Sequence, residues 1–420
     1  MNSLGPLSWQ QATCLRRNRL LGLKTGRLVT VVPVPADEPL AALRDRLSAM
    51  VAREEALRVV RLPADVDGSV TYADAIDVPI STLRADSAAD LAQLFTELGQ
   101  PQPEGAAGPG GPLWRVVAVE HPDPSGRRTR SIWAALHHLI ADPFSLLLFR
   151  DELAGRGNAV RTSRRGGYRE WIEWQRRTFP MDNGTATPSA AREFWRRYFD
   201  GGSPNHAVTL PFCQPTAPVS GVERDLIHDL PVPSAALRAA AARLRSAPLL
   251  LVVASVAAAV GALTREADVT LRYVGHGRVD RYLETLGWFA DDVPLRIRGP
   301  SLTDPHGALR AATLARQQIR EYESTPWGYI MQACGQTDAE TPQVVLSLIP
   351  ADEVPNPLPP ARSTTLTGGR GDLHITVSAP RTRAGRVRFR FDPHRFAGDG
   401  VEGFARTVFA RLTVLVEGAG

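Results

Sequence analysis

Lysine is nearly absent from this chain: Lys24 is the only one among 49 basic residues, so arginine supplies almost all of the positive charge. That usage fits a GC-rich genome rather than a function. Cysteine is also scarce. Cys14, Cys213 and Cys334 are far apart and odd in number, which leaves no disulfide framework and no thiolate metal cluster of the usual spacing. A reducing, cytoplasmic setting is expected, and neither a charged-then-apolar leader nor a cleavage site opens the chain. No apolar run reaches the roughly twenty residues of a spanning helix. Ala247 to Leu263 comes nearest, but with Pro248, Ser255 and Gly261 it reads as a helix buried in a core, and no membrane partner is expected. A Gly-rich loop ending in Lys-Ser/Thr is missing, as is a dinucleotide fingerprint, which argues against an enzyme that spends a nucleotide to activate its substrate. The arginines are scattered and build no aromatic-basic platform, so no nucleic acid is expected either.

What is present is an ordinary globular composition, 43% apolar and 22% charged over 420 residues. That length exceeds what one hydrophobic core usually serves, and two lobes are expected, residues 1–180 and 181–420. Pro/Gly-rich punctuation at 180–188 and 201–218 marks the change. In the first lobe the patterns predict strands at 27–34, 57–62 and 114–120 and a helix over 40–53. In the second they predict helices over 190–199, 234–244, 249–263 and 401–416. Strands are predicted there at 269–273, 293–298, 343–349, 373–378 and 387–391. Helices and strands alternate in both, so the fold class is α/β. A net charge of +5 favours an acidic partner through long-range attraction. The tripeptide Arg370-Gly371-Asp372 and the sequon Asn183-Gly184-Thr185 have no meaning inside a cell.

The most informative stretch is His137-His138-Leu139-Ile140-Ala141-Asp142. A buried-strand pattern, 131–136, runs into two imidazoles, and Asp142-Pro143 then starts an apolar helix as N-cap and first helical residue. Continued strand alternation sets Ile132, Ala134, Leu136 and His138 on one face and Trp133, Ala135 and His137 on the other. Only one imidazole then faces a given cavity, where it can take a proton from an amine or hydroxyl attacking a carbonyl. Two core histidines and a plain helix cap remain the alternative on these residues alone.

With these residues in place, the chain resembles the condensation domains of nonribosomal peptide synthetases, within the chloramphenicol acetyltransferase-like superfamily. The likeness runs in order through Leu7-Ser8-Trp9-Gln10-Gln11, Arg53-Glu54-Glu55-Ala56-Leu57-Arg58, Gly111-Pro112-Leu113-Trp114-Arg115 and the His-His-x-x-x-Asp motif at 137–142. It continues through Tyr168-Arg169-Glu170-Trp171, Val274-Gly275-His276-Gly277-Arg278, the segment 287–296 and Phe391-Asp392-Pro393 with Phe396. The resemblance implies two similar lobes in a V-shaped pseudo-dimer with a central tunnel. It implies a donor acyl or aminoacyl thioester on the phosphopantetheine arm of an acyl or peptidyl carrier protein, supplied in trans, and an amine or, less favoured, a hydroxyl acceptor. No permanently bound cofactor and no metal are implied. His138 would be the catalytic imidazole, with His137 and Asp142 completing the motif; Asp142 would pair with Arg278 across the lobes, beside Pro143 and Ser145. Trp288, Asp291 and Ser347 would line the tunnel.

Three departures from the family pattern stand out. Pro143 replaces Gly and removes a backbone N–H near the reacting carbonyl. Asp291 and Asp292 replace Asn and Thr, and are expected to be solvated rather than to bind a cationic acceptor. Ser347 replaces an Asn. The expectation is a free-standing condensation enzyme of secondary metabolism. A coenzyme A-dependent acyltransferase and a non-catalytic docking or recruitment domain for carrier-bound intermediates are the alternatives.

Overall fold

An unbroken apolar run such as 131–136 needs cover on both faces of its sheet, and the computed structural model of the chain supplies it. The structure describes residues 2–22, 24–35, 37–63, 68–100, 111–156, 166–181, 189–206, 209–300, 302–336, 343–349, 372–381 and 384–418. The sequon at 183–185 and Arg370-Gly371 lie outside the described residues. By mutual packing the chain divides into two units, one built on residues 1–181 with 276–290, the other on the remaining described residues.

In the first unit the strands are β1 (Ser3–Gly5), β2 (Arg27–Pro33), β3 (Val59–Arg61), β4 (Val70–Tyr72), β5 (Ile80–Arg84), β6 (Trp114–Pro122) and β7 (Arg128–His137). Its helices are α1 (Trp9–Leu21), α2 (Leu40–Arg53), α3 (Ala88–Gly99), α4 (Pro143–Leu153) and α5 (Tyr168–Thr178). A four-stranded sheet runs β2-β7-β6-β5, with β5 parallel to β6 and the other pairs antiparallel. Along β7, Ile132, Ala134 and Leu136 pack with Leu43 and Leu47 of α2 and Phe149 of α4. On the opposite face Trp133 and Ala135 pack with Leu91, Leu94, Phe95 and Leu98 of α3. Both faces are therefore dry, and β7 delivers its C-terminal end, His137, from a rigid central strand.

The second unit carries β8 (Arg224–Asp229), β9 (Asp268–Gly275), β10 (Asp291–Arg298), β11 (Val344–Ile349), β12 (Leu373–Ser378) and β13 (Arg386–Phe391) in one sheet of order β10-β9-β11-β12-β13-β8. Pro294 has no N–H to give a ladder, and it sits on β10, an edge strand. Helices α6 (Ala190–Tyr198), α7 (Ser234–Arg243), α8 (Pro248–Thr264), α9 (Pro305–Ile319), α10 (Trp327–Ala333) and α11 (Gly398–Glu417) complete it. The apolar run at 247–263 is α8, buried from Leu251 to Gly261 against the sheet, α9 and α11. Among the described residues no single helix is long and apolar enough to cross a membrane.

Residues 276–290 differ from the sequence division, which assigns them to 181–420. They pack as part of the first unit, because Leu286 and Trp288 enter its core and Tyr282 and Phe289 join Tyr168, Trp171 and Ile172. Two glycines permit this seating. Gly277 has φ +62°, and a Cβ there would lie 2.0 Å from the Phe289 carbonyl oxygen; at Gly287 it would lie 2.2 Å from the Tyr168 ring. Gly277→Ala is therefore expected to lose about 2–4 kcal/mol of unfolding free energy, from left-handed strain and a backbone clash. Denaturant unfolding measures this, and a loss below about 1 kcal/mol would mean that the segment is held less tightly.

Candidate active site

The strand ends one residue earlier than alternation requires. β7 stops at His137, and His138 lies in a turn closed by Ile140 N–H donating to the His137 carbonyl at 2.9 Å. The two imidazoles are thus separated by a turn, not by two faces of a strand. Backbone bonds fix them: His137 N–H donates to the Leu113 carbonyl at 2.9 Å and His138 N–H to the Gly26 carbonyl at 3.0 Å. The Leu139 carbonyl accepts from Gln11 Nε2 at 2.7 Å, while Gln11 also forms a capping box with Ser8 at the start of α1.

Their hydrogen bonds assign opposite tautomers. Leu139 N–H, which can only donate, points at His137 Nδ1 at 3.2 Å, so that nitrogen carries the lone pair and Nε2 the proton. His138 Nδ1 lies 3.0 Å from the Ala141 carbonyl oxygen, which can only accept, so Nδ1 carries the proton and Nε2 the lone pair. Burial, then the positive Arg27 and the neighbouring His138, push His137 down to about 3 from the ordinary 6.5. His137 is therefore neutral at working pH. His138, partly exposed like His137, packs on Trp288 with ring centroids 4.7 Å apart and planes tilted by 42°, and has the tautomer of a general base.

Asp142 is wholly buried and does two jobs at once. As N-cap of α4 its Oδ1 accepts from Ser145 N–H at 2.7 Å. It also receives Arg278 in a fork, Nη1 to Oδ2 at 2.7 Å and Nη2 to Oδ1 at 2.9 Å. Oδ2 accepts further from the N–H groups of Phe289 and Ala290, each at 3.0 Å. Burial alone would raise its pKa, yet the Arg278 charge and these donors hold it below the usual carboxylate range. The guanidinium lies between the rings of Phe289 and Phe144, 4.4 and 4.7 Å from their centroids. Ser145 Oγ accepts from Arg278 Nη2 at 2.7 Å and Gly287 N–H at 3.0 Å, and donates to the Gly287 carbonyl at 2.6 Å.

The structure therefore brings His137, His138, Asp142, Pro143, Ser145, Arg278 and Trp288 together within the first unit. Pro143 is exposed at the first position of α4. Asp291 and Ser347 belong to the second unit. The expectation that Asp291 and Asp292 are solvated is corrected: Asp292 is 5% exposed and paired with Arg272 at 3.0 Å. Asp291 accepts from the N–H groups of Asp292 and Trp327 at 2.9 and 3.0 Å. Ser347 Oγ lies 2.9 Å from His374 Nε2.

Several supporting residues had no role assigned from sequence, although their motifs were visible. Glu54 Oε2 accepts from Leu286 N–H at 3.1 Å and Glu55 Oε2 from Arg169 N–H at 2.8 Å. Tyr168 donates to the Trp288 carbonyl at 3.2 Å. Phe144, which covers Arg278, carries no sequence signal beyond being apolar.

Asp142→Asn or Arg278→Gln alone is expected to cost about 3–5 kcal/mol, because each strands a buried partner. The double variant should cost clearly less than the sum, as read by a denaturant-unfolding cycle. For His137 the folded state holds the proton less tightly than the unfolded chain. Its contribution to stability is complete above about 6.5 and is lost as pH falls towards about 3. His137→Asn, which keeps an acceptor for Leu139, should flatten the stability–pH curve in that window; an unchanged slope would show that His137 protonates freely in the fold.

A sequence profile described as "Condensation domain" matches residues 36–351. No curated protein sequence matches the chain. Among solved structures, the X-domain from teicoplanin biosynthesis superposes with TM-score 0.77 at 19% identity, covering 98% of this chain and 95% of that one. SgcC5 from Streptomyces globisporus gives 0.72 at 16%, covering 98% of each chain. The first condensation domain of the calcium-dependent antibiotic synthetase, in complex with a substrate analogue, gives 0.72 at 16% over 99% of this chain and 96% of that one. These likenesses concern the fold, a mixed α/β architecture of chloramphenicol acetyltransferase type, and with the profile match over three quarters of the residues they place the chain in the condensation-domain family.

Proposed function

We propose that this protein is an acyltransferase that joins an acyl or aminoacyl thioester, carried on the phosphopantetheine arm of a carrier protein, to an amine. The observation that carries the reading is the His138 Nδ1–H bond to Ala141, which fixes the lone pair on Nε2 of a partly exposed ring. As the amine nitrogen attacks the thioester carbonyl, a C–N bond forms and the nitrogen becomes acidic. Nε2 takes its proton. Collapse of the tetrahedral adduct breaks the C–S bond, and the imidazolium returns the proton to the departing thiolate. Asp142, Arg278 and Ser145 touch no reacting atom in this scheme; they fix the turn that carries His138. The net charge of +5 suits an acidic carrier protein.

Pro143 favours a second reading, a domain that docks carrier-bound intermediates without turning them over. In the first turn of α4, residue 143 has no N–H, Ser145 N–H is taken by the Asp142 side chain, and Leu146 N–H by the Asp142 carbonyl. Of these early donors only Phe144 N–H is left to meet an oxyanion.

His138→Ala should lower amide formation by roughly 10²–10⁴-fold with unchanged stability of the Asp142–Arg278 cluster. The assay incubates purified protein with a loaded carrier protein and an amine, with products read by mass spectrometry. Equal turnover by both proteins would eliminate His138 as the base. If wild type binds the loaded carrier and forms no product, the docking reading takes its place.

A further inference from the structure

On the sheet face of the second unit opposite its core, β13 presents Arg386, Arg388 and Arg390, while Val387, Phe389 and Phe391 turn inward. The antiparallel neighbour β8 sets Asp229 against Arg386, Ile227 against Arg388 and Asp225 against Arg390. The outer two guanidiniums meet carboxylates. Arg390 donates to Asp225 from Nε at 2.8 Å and Nη2 at 2.9 Å, with Glu223 at 3.7 Å, and Arg386 lies 4.0 Å from Asp229. Elsewhere on this face Arg272 is held by Asp292 and Asp372 at 3.0 and 2.7 Å.

Arg388 breaks the pattern, because it faces Ile227. Among the described residues it makes no hydrogen bond and no ion pair, and its Nε is buried without an acceptor. Burial, then the like charge of Arg390, disfavours its charged form, and the Asp225 and Glu223 carboxylates, beyond ion-pair distance of it, offset this only in part; a guanidinium keeps its proton at any working pH. The row continues with hydroxyls: β12 sets Thr376 opposite Arg388, and β11 sets Ser347 opposite Thr376. Neighbours on one face of a sheet stand about 5 Å apart at Cβ, within the span of an arginine side chain. Ser347 is oriented by His374, and at the other end of the row Ile227 is 48% exposed, so solvent reaches it.

We propose that Arg388, Thr376 and Ser347 form a binding site for the carboxylate of a small-molecule ligand, on the second unit alone. The guanidinium fork matches two carboxylate oxygens and Thr376 supplies a further donor, joined by Ser347 when His374 Nε2 carries the proton of their bond. A carboxylate suits the site better than a phosphate dianion, since Asp225 and Glu223 lie beside Arg390 on the same face. This goes beyond the condensation reading: it shares Ser347 with the expected tunnel lining and uses none of the residues around His138.

The test is isothermal titration of the whole chain with N-acetylglycine and, separately, with inorganic phosphate at constant ionic strength. Two variants accompany the wild type: Arg388→Gln removes the charge, and Ile227→Asp gives Arg388 the internal carboxylate that Arg386 and Arg390 already have. Asp225 and Asp229 occupy the equivalent positions of β8, so Ile227→Asp is expected to fold, as checked by circular dichroism. Saturable binding of N-acetylglycine is expected, weakened roughly tenfold or more in both variants. No saturable binding by wild type, equal affinity in both variants, or tighter binding of phosphate than of the carboxylate would each overturn the proposal. Amide formation is not the readout, so failure here leaves the condensation reading standing, and the reverse also holds.

Discussion

The buried pairing of Asp142 with Arg278 is the interaction on which the rest of the site depends. Two charges taken out of water are tolerated only when the pairing geometry is good and further donors and acceptors meet most of their lone pairs and protons; here only the Arg278 Nε is left without an acceptor among the described residues. Here the carboxylate has two guanidinium donors and three backbone N–H groups, and the guanidinium has Ser145 and two aromatic rings. The cluster ties the start of α4 to residues 276–290, and so to Trp288. The same carboxylate is the helix cap, so the position of the His138 turn and the position of the Trp288 ring are set by one group.

Beside that anchor two adjacent histidines have different surroundings. The difference comes from partners rather than from the rings. His137 ends a central strand beside the buried Arg27, accepts an N–H at Nδ1 and stays neutral. His138 sits one residue beyond the strand, donates from Nδ1 and packs on an indole. A turn that begins at His138 gives the two rings different partners and opposite tautomers, the difference on which the proposed role of His138 rests. Polar bonds from distant motifs hold this arrangement, Gln11 to the Leu139 carbonyl and Glu54 to Leu286, which gives the scattered sequence signatures one physical purpose.

Much of this was legible in the sequence where the signal is local. The helix Leu40–Arg53 and the strand Leu373–Ser378 have the bounds that periodicity predicts, because each buries one regular stripe. The N-cap role of Asp142 followed from its place before Pro143. Three-residue strands such as Ser3–Gly5 and Val70–Tyr72 are too short to carry a period, and α9 and α10 were not read either. Strand alternation failed at His138 because a turn leaves no periodic trace. Asp142 and Arg278 are 136 residues apart, so only family resemblance linked them. The carboxylates of Asp291 and Asp292 look solvated in sequence because their partners, Trp327 N–H and Arg272, come from other elements.

The central claim is that the two imidazoles carry their protons on opposite nitrogens. Nitrogen-15 NMR of histidine-labelled protein near neutral pH, with His137→Asn and His138→Ala used for assignment, tests it without any substrate. The account predicts an unprotonated, pyridine-type Nε2 at His138 and a pyridine-type Nδ1 at His137. A protonated Nε2 on a neutral His138 would contradict it, since the lone pair would then lie on Nδ1, against the Ala141 carbonyl, and Nε2 would have none with which to take a proton.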